Sequence, residues 1–186
     1  MANTNVKRII FREVMDGDLK KFTATAAPSG TGGGARDLRF RPFDKFDGVF
    51  ARALPRREKV ERRREGEREE IEIYTAKANV VRSNNESFKK EIAFEPPTTA
   101  RPNEGRLARV HDLNLDVPEG EGRLLILIIQ DGKDELIITF FSEKDLESGK
   151  WHAAVNDFFK EVFSQPARAS ATQGYIDFEQ KSRWIK

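Results

Sequence analysis

Two short stretches of the 186-residue chain gather side chains able to hold an anion or read a base. The first runs from the glycine-rich segment Pro28-Ser29-Gly30-Thr31-Gly32-Gly33-Gly34 into Arg36, Arg39 and Arg41. Glycine has no Cβ, so backbone amides in such a segment can come close to a phosphate. The segment lacks the lysine-serine/threonine ending of a P-loop and the spacing of a dinucleotide fingerprint, which disfavours a mononucleotide site. In an extended strand Arg39 and Arg41 point one way and Leu38 and Phe40 the other. With Lys20 and Lys21 ahead of the glycines, these residues make a basic arm that could enter a groove. The second stretch is Arg101-Pro102-Asn103-Glu104-Gly105-Arg106-Leu107-Ala108-Arg109, reached through Glu95-Pro96-Pro97-Thr98-Thr99. Arginine is suited to guanine, asparagine to adenine and glutamate to the amino group of cytosine. The same residues also read as ordinary structure, a chain reversal at the glycines and an exposed turn in which Glu104 pairs with Arg106.

Other chemistry is sparsely provided for. The chain has no cysteine and only two histidines, His111 and His152. Disulfides, thiolate nucleophiles and sulfur-rich zinc sites are therefore excluded, and an all-protein transition-metal site is disfavoured. The one loose set of carboxylates near a lysine, Asp131 with Asp134 and Glu135 around Lys133, falls in a turn with no paired strand ending to hold magnesium. No cofactor, no metal site and no catalytic centre are expected. Lysine and arginine number 33 against 31 acids, for a net charge of +2. Acids collect around Glu119 to Glu121, Asp131 to Glu135 and Glu143 to Glu147, whereas arginine dominates from Arg36 to Arg64. Such sorting can give a basic face toward a polyanion and an acidic back, although ordinary surface charge would look similar. No apolar run reaches membrane-spanning length and no signal-peptide pattern opens the chain, so a cytoplasmic protein without a membrane partner is expected.

The elements that must position the two stretches read mostly as strands. Apolar or alternating runs occur at Val6 to Val14, Leu19 to Ala26, Leu38 to Phe40, Ile71 to Val81, Phe88 to Phe94, Leu107 to Val110, Leu124 to Ile129 and Leu136 to Phe141. The last two, separated by a turn at Asp131-Gly132, read as a hairpin at the buried centre of the sheet. Helical spacing appears from Phe43 to Leu54 and from Trp151 to Phe163, with Ser142 and Asp145 as a helix-start signal just upstream. The mixed-charge run from Pro55 to Glu70 reads as a solvated loop or helix end.

In their order these features resemble the N-terminal effector domain of the EcoRII restriction endonuclease and its relatives. That domain is a DNA-binding pseudobarrel also seen in plant auxin-response-type transcription factors. Lys20-Lys21-Phe22-Thr23 leads to Thr31-Gly32-Gly33, then to Leu38 through Pro42 and a helix from Phe43. Asn103-Glu104, Arg106-Leu107 and Arg109 match a later Asn-Glu-x-Arg-aliphatic-x-Arg motif, followed by two apolar strands and the Ser142 to Asp145 helix start. The resemblance runs from about Leu19 to Val162. It implies a mainly β fold with two or three helices, a seven- or eight-stranded open pseudobarrel over residues 1–165, and a tail or linker over 166–186. It also implies sequence-specific binding of double-stranded DNA in the major groove, as the recognition module of a restriction-modification system, with cleavage left to a nuclease domain or subunit. One arm would be Lys20, Lys21, Thr31, Gly32, Gly33, Arg36, Arg39 and Arg41, and the other Arg101, Asn103, Glu104, Arg106 and Arg109. Ala26-Ala27 and Gly34 depart from the family's Asn-Asp pair and histidine, which implies a different target sequence. A complete magnesium-dependent endonuclease, a single-strand or RNA-binding barrel and a protein-interaction module are the alternatives.

Overall fold

A computed structural model describes residues 5–23, 37–64, 67–99, 101–118, 122–148, 151–166 and 169–186, without the side chains at 23, 62–64, 67 and 69. Its centre is β7 (Leu124–Asp131), buried at every residue. The reason lies in its neighbours, β1 (Val6–Glu13) and β8 (Leu136–Ser142), which pair with it antiparallel on either side. Successive side chains then enter two different cores. Leu124, Ile126 and Ile128 face one that contains Phe40, Phe46, Phe50 and Phe94. Leu125, Leu127 and Ile129 face another, built with Val155, Phe158, Phe159, Val162 and Phe163 of helix α4 (Ala153–Ser164).

The remaining strands are β2 (Leu38–Phe40), β3 (Arg56–Arg64), β4 (Glu67–Val81), β5 (Ser87–Glu95), β6 (Gly105–Leu107), β9 (Gln173–Asp177) and β10 (Ser182–Ile185). All ten join one sheet in the order β10-β9-β1-β7-β8-β4-β5-β6-β2, with β3 attached to β4 alone. Among the described strands only β4 and β8 pair in parallel, over Ala78 to Val80. The sheet curls around the first core, so that Phe46, from the turn after β2, lies 5.3 Å from the ring of Trp184 on β10. The described residues also form the helices α1 (Asp16–Thr23), α2 (Asp47–Ala53) and α3 (Glu143–Glu147). The expected hairpin turn is present, held by Asp131, whose Oδ1 accepts from the backbone of Lys133 (2.9 Å) and Glu135 (2.8 Å). Ser142 and Asp145 form a reciprocal cap on α3. Among the described residues no helix is long and apolar enough to cross a membrane.

Several local expectations are corrected. Leu19 to Thr23 is helix rather than strand, because Asp16 and Asp18 occupy the first turn and Lys20 and Lys21 the last, complementing the helix dipole. Residues 24–26 lie outside the described residues. The strand expected from Leu107 to Val110 stops at Leu107, since Arg109 adopts a left-handed conformation (φ 52) and Val110–Leu113 form a 3-10 turn. The charged run is not a loop but most of the β3–β4 hairpin. Opposite charges hold it, with Lys59 2.8 Å from Glu70 and Arg68 3.6 Å from Glu61, while the Arg57 guanidinium stacks 3.9 Å over Tyr74. Among the described residues strands number ten and α-helices four, above the expected counts, within a fold that is mainly β as expected. Of the segment from 166 onward, expected as tail or linker, residues 173–185 supply β9 and β10, and β9 pairs with β1.

Candidate nucleic-acid interface

The two basic stretches meet on paired strands. In β2, Leu38 and Phe40 turn inward and Arg39 outward, and β2 runs antiparallel to β6 with Arg39 directly opposite Arg106. Gly105 is required there by packing, because a Cβ would lie 2.4 Å from the Phe94 ring and 2.6 Å from Phe43. The close approach lets the loop before β6 tuck Glu104 under the surface.

Glu104 is the hub. Its side chain is 3% exposed, and Arg41 Nε donates to it at 2.7 Å, with a second donation from Arg41 Nη2. Arg101 Nη1 lies at 3.3 Å and Arg39 Nε at 3.4 Å. Burial alone would raise the carboxyl pKa. The hydrogen bond from Arg41 and the charges of Arg39, Arg41 and Arg101 outweigh it and hold Glu104 below the ordinary carboxylate value. The three arginines stay 39%, 53% and 42% exposed at residues 39, 41 and 101. One carboxylate therefore organises three guanidiniums, leaving two surplus positive charges with N–H groups at the surface.

Other expected site residues are committed to internal pairs. Arg106, 11% exposed, lies between Glu95 (2.9 Å) and Asp37 (3.4 Å). Asp37 also accepts from the backbone N–H of Arg109 at 3.0 Å, which secures the left-handed turn there and leaves the Arg109 side chain exposed. Lys21 donates to Asp18 (2.6 Å) and to the carbonyl of Asp37 (3.1 Å), whereas Lys20 is exposed on α1. Asn103 is exposed, but its Oδ1 accepts from the Phe43 amide at 3.1 Å. A bidentate contact with adenine would have to use the second lone pair of that oxygen. Thr31, Gly32, Gly33 and Arg36 lie outside the described residues. The structure thus gathers Arg39, Arg41, Arg101 and Glu104 at one place and turns Arg106 and Lys21 into its scaffold.

Sequence reasoning passed over four residues that shape this place, Arg12, Asp37, Glu95 and Gln173. Asp37 and Glu95 could have been suspected as the acids flanking each arginine-rich stretch. Nothing local marks Arg12 or Gln173. At the other candidate, the carboxylates of the β7–β8 turn, Asp134 is bound to Lys7 (2.7 Å) and Gln130 (3.0 Å). Among the described residues no group of three or more metal-ligating side chains comes together. Comparison with known proteins returns no matching family model and no similar curated protein.

Proposed function

We propose that the chain binds double-stranded DNA through the surface made by β2, β6 and the loop at Arg101 to Glu104, and that it serves as a sequence-recognition module without a catalytic centre of its own. The observation that carries this reading is the convergence of Arg39, Arg41 and Arg101 on the buried Glu104. Planar guanidiniums held at a surface with excess positive charge suit phosphate oxygens and guanine edges. A buried carboxylate that pre-orders them lowers the cost of ordering long side chains on binding. Lys20 on α1 and the exposed Arg109 add positive charge on two segments that are both tied to Asp37.

The curl of the sheet and the side-chain bonds that join β2 to the β1–β9 side support an open pseudobarrel of the kind implied by the resemblance to the EcoRII effector domain. In this reading the two basic stretches act as one continuous patch on β2 and β6, with the glycine segment as a second point of contact. The fitting context is a restriction-modification system in the cytoplasm, where a separate nuclease domain or subunit would cut.

The test is selection of bound sites from a random duplex pool, followed by affinity measurements over a range of salt. A preferred motif, with log K falling linearly in log salt at a slope near −0.9 per phosphate neutralised, is expected. No enrichment and no salt dependence would reject the reading. Incubation of the selected duplex with magnesium separates binding from cleavage, and the expected result is intact DNA.

A further inference from the structure

Arg12 on β1 and Gln173 on β9 are direct cross-strand partners. Both are buried, at 8% and 4% exposure, and both reach across to the backbone of the β2 segment. Arg12 Nε donates to the Arg39 carbonyl at 2.8 Å. Gln173 makes a two-way contact with Arg41, accepting from its N–H at 3.2 Å through Oε1 and donating to its carbonyl through Nε2. Alternate residues of a strand aim their N–H and C=O groups at the same edge. Arg39 in β2 and Arg41 just past its end follow this alternation, and β2 ends the strand order, with β6 on its other side. The amide of Gln173 thus supplies the donor and acceptor that a neighbouring strand would have presented.

We propose that Gln173, with Arg12 beside it, is a positioning residue for the nucleic-acid surface. The two side chains form a seam along the outer edge of β2, and this seam aims Arg39 and Arg41. Glu104 gathers the tips of these arginines, while the seam sets where their backbone sits. With the tips tethered but the backbone loose, the guanidiniums would spread over many arrangements and lose phosphate contacts. The proposal rests on the nucleic-acid reading above.

The test uses the full chain with Gln173→Met, which keeps the volume and removes both hydrogen bonds, and Gln173→Glu, which keeps the acceptor and removes the donor. Amide hydrogen exchange at Arg41 and in β7 is read beside duplex affinity across salt, and Arg41→Ala is made in both the parent and the Gln173→Met background. In Gln173→Met, exchange at Arg41 should quicken by about tenfold or more while β7 keeps its protection. Affinity should fall by roughly tenfold, with a salt slope shallower by about one. Arg41→Ala should then cost much less in that background than in the parent. Gln173→Glu should fall between the two, and it decides the matter should Gln173→Met not fold. Faster exchange at Arg41 with unchanged affinity and slope would overturn the proposal. So would equal losses from Arg41→Ala in both backgrounds, or protection lost throughout β7 in both variants. If the parent binds no duplex at any salt, the nucleic-acid reading fails and takes the positioning role with it, while exchange at Arg41 still reports whether the seam exists.

Discussion

Arg39 and Arg106 stand directly opposite one another on β2 and β6. Like charges so placed repel across an antiparallel pair. The repulsion is relieved separately on each side, by Glu104 for Arg39 and by Asp37 with Glu95 for Arg106. The division of acids also divides the work, since Arg39 keeps its guanidinium toward the surface and Arg106 turns inward to tie three segments together.

Arg106→Ala should therefore act first on stability. Removing Arg106 takes the guanidinium away from two buried carboxylates, Glu95 and Asp37, at a cost of about 3–5 kcal/mol. Denaturant unfolding measures this. A loss below about 1 kcal/mol accompanied by altered base preference would instead place Arg106 among the readers.

Arg41→Ala and Arg101→Ala should leave stability within about 1 kcal/mol, because both side chains are about half exposed and their pairs with Glu104 are partly screened. Each should make the slope of log K against log salt shallower by about one. Binding curves at several salt concentrations would show this, and unchanged slopes would remove both from the contact surface.

Glu104→Gln should have two opposing effects. Three neighbouring guanidiniums lose their shared counter-charge, so folding should weaken by about 1–3 kcal/mol. Released from the carboxylate, the arginines should bind arbitrary duplexes more tightly and with steeper salt dependence, while discrimination between sequences falls. Calorimetry and competition with mixed-sequence DNA separate the two effects. Weaker binding to every sequence would contradict the hub role.

Acid should unfold the chain cooperatively. Burial alone would raise the pKa values of Glu13, Asp18, Glu104 and Asp177, but their hydrogen bonds and arginine or lysine partners outweigh it and lower all four. A carboxylate depressed in the folded state contributes stability that is fully present above its unfolded pKa of about 4 and is lost as pH falls through the lower folded value. Thermal midpoints should be flat above about pH 5 and fall steeply below about pH 4. A flat profile down to pH 3 would show that these pairs carry little.

Gly105→Ala should damage the site without touching a charge. The added methyl would meet the rings of Phe94 and Phe43, and overpacking of this kind costs about 1–3 kcal/mol. Melting temperature and duplex affinity should fall together. A substitution tolerated in both would mean that the rings shift at little cost.

The central sheet was legible because its signal is strong and local. Leu124 to Ile129 is apolar on consecutive positions, which suits a strand buried on both faces, Leu136 to Phe141 is apolar but for Thr139 and half-buried on one face, and Asp131-Gly132 marks the turn. Helix α4 was equally plain from the spacing of Val155, Phe158, Phe159, Val162 and Phe163. The failures have physical causes. Charge in the run Arg56 to Glu70 suggested solvation, yet in a two-stranded ribbon both faces can hold charges that pair across strands. Lys20 and Lys21 read locally as part of a basic strand, whereas Asp16 and Asp18 in the first turn and the lysines in the last favour a helix through its dipole.

At the site, sequence reasoning named the arginines but not their geometry. Arg39 and Arg106 are far apart in the chain, and only the β2–β6 register makes them neighbours. The alternative reading paired Glu104 with Arg106, whereas its partners are Arg39, Arg41 and Arg101. Glu104 and Arg106 lie two apart, yet Glu104 sits just before β6 in a loop that turns it toward the end of β2. Gln173 could not have been found, since its role depends on β9 lying beside β1.

The place of β1 in the strand order carries a consequence for how the chain reaches this structure. Ile9 pairs with Ile129 on one side and with Ile176 on the other, so β1 must wait for partners more than a hundred residues further along the chain. The β3–β4–β5 ribbon and the β7–β8 hairpin can close early on local contacts. Joining them around β1 is a long-range event of the kind that makes β proteins fold slowly. Until β7 arrives, Ile9, Ile10 and Phe11 are an apolar stretch with two open edges, which makes β1 a segment exposed to misassembly.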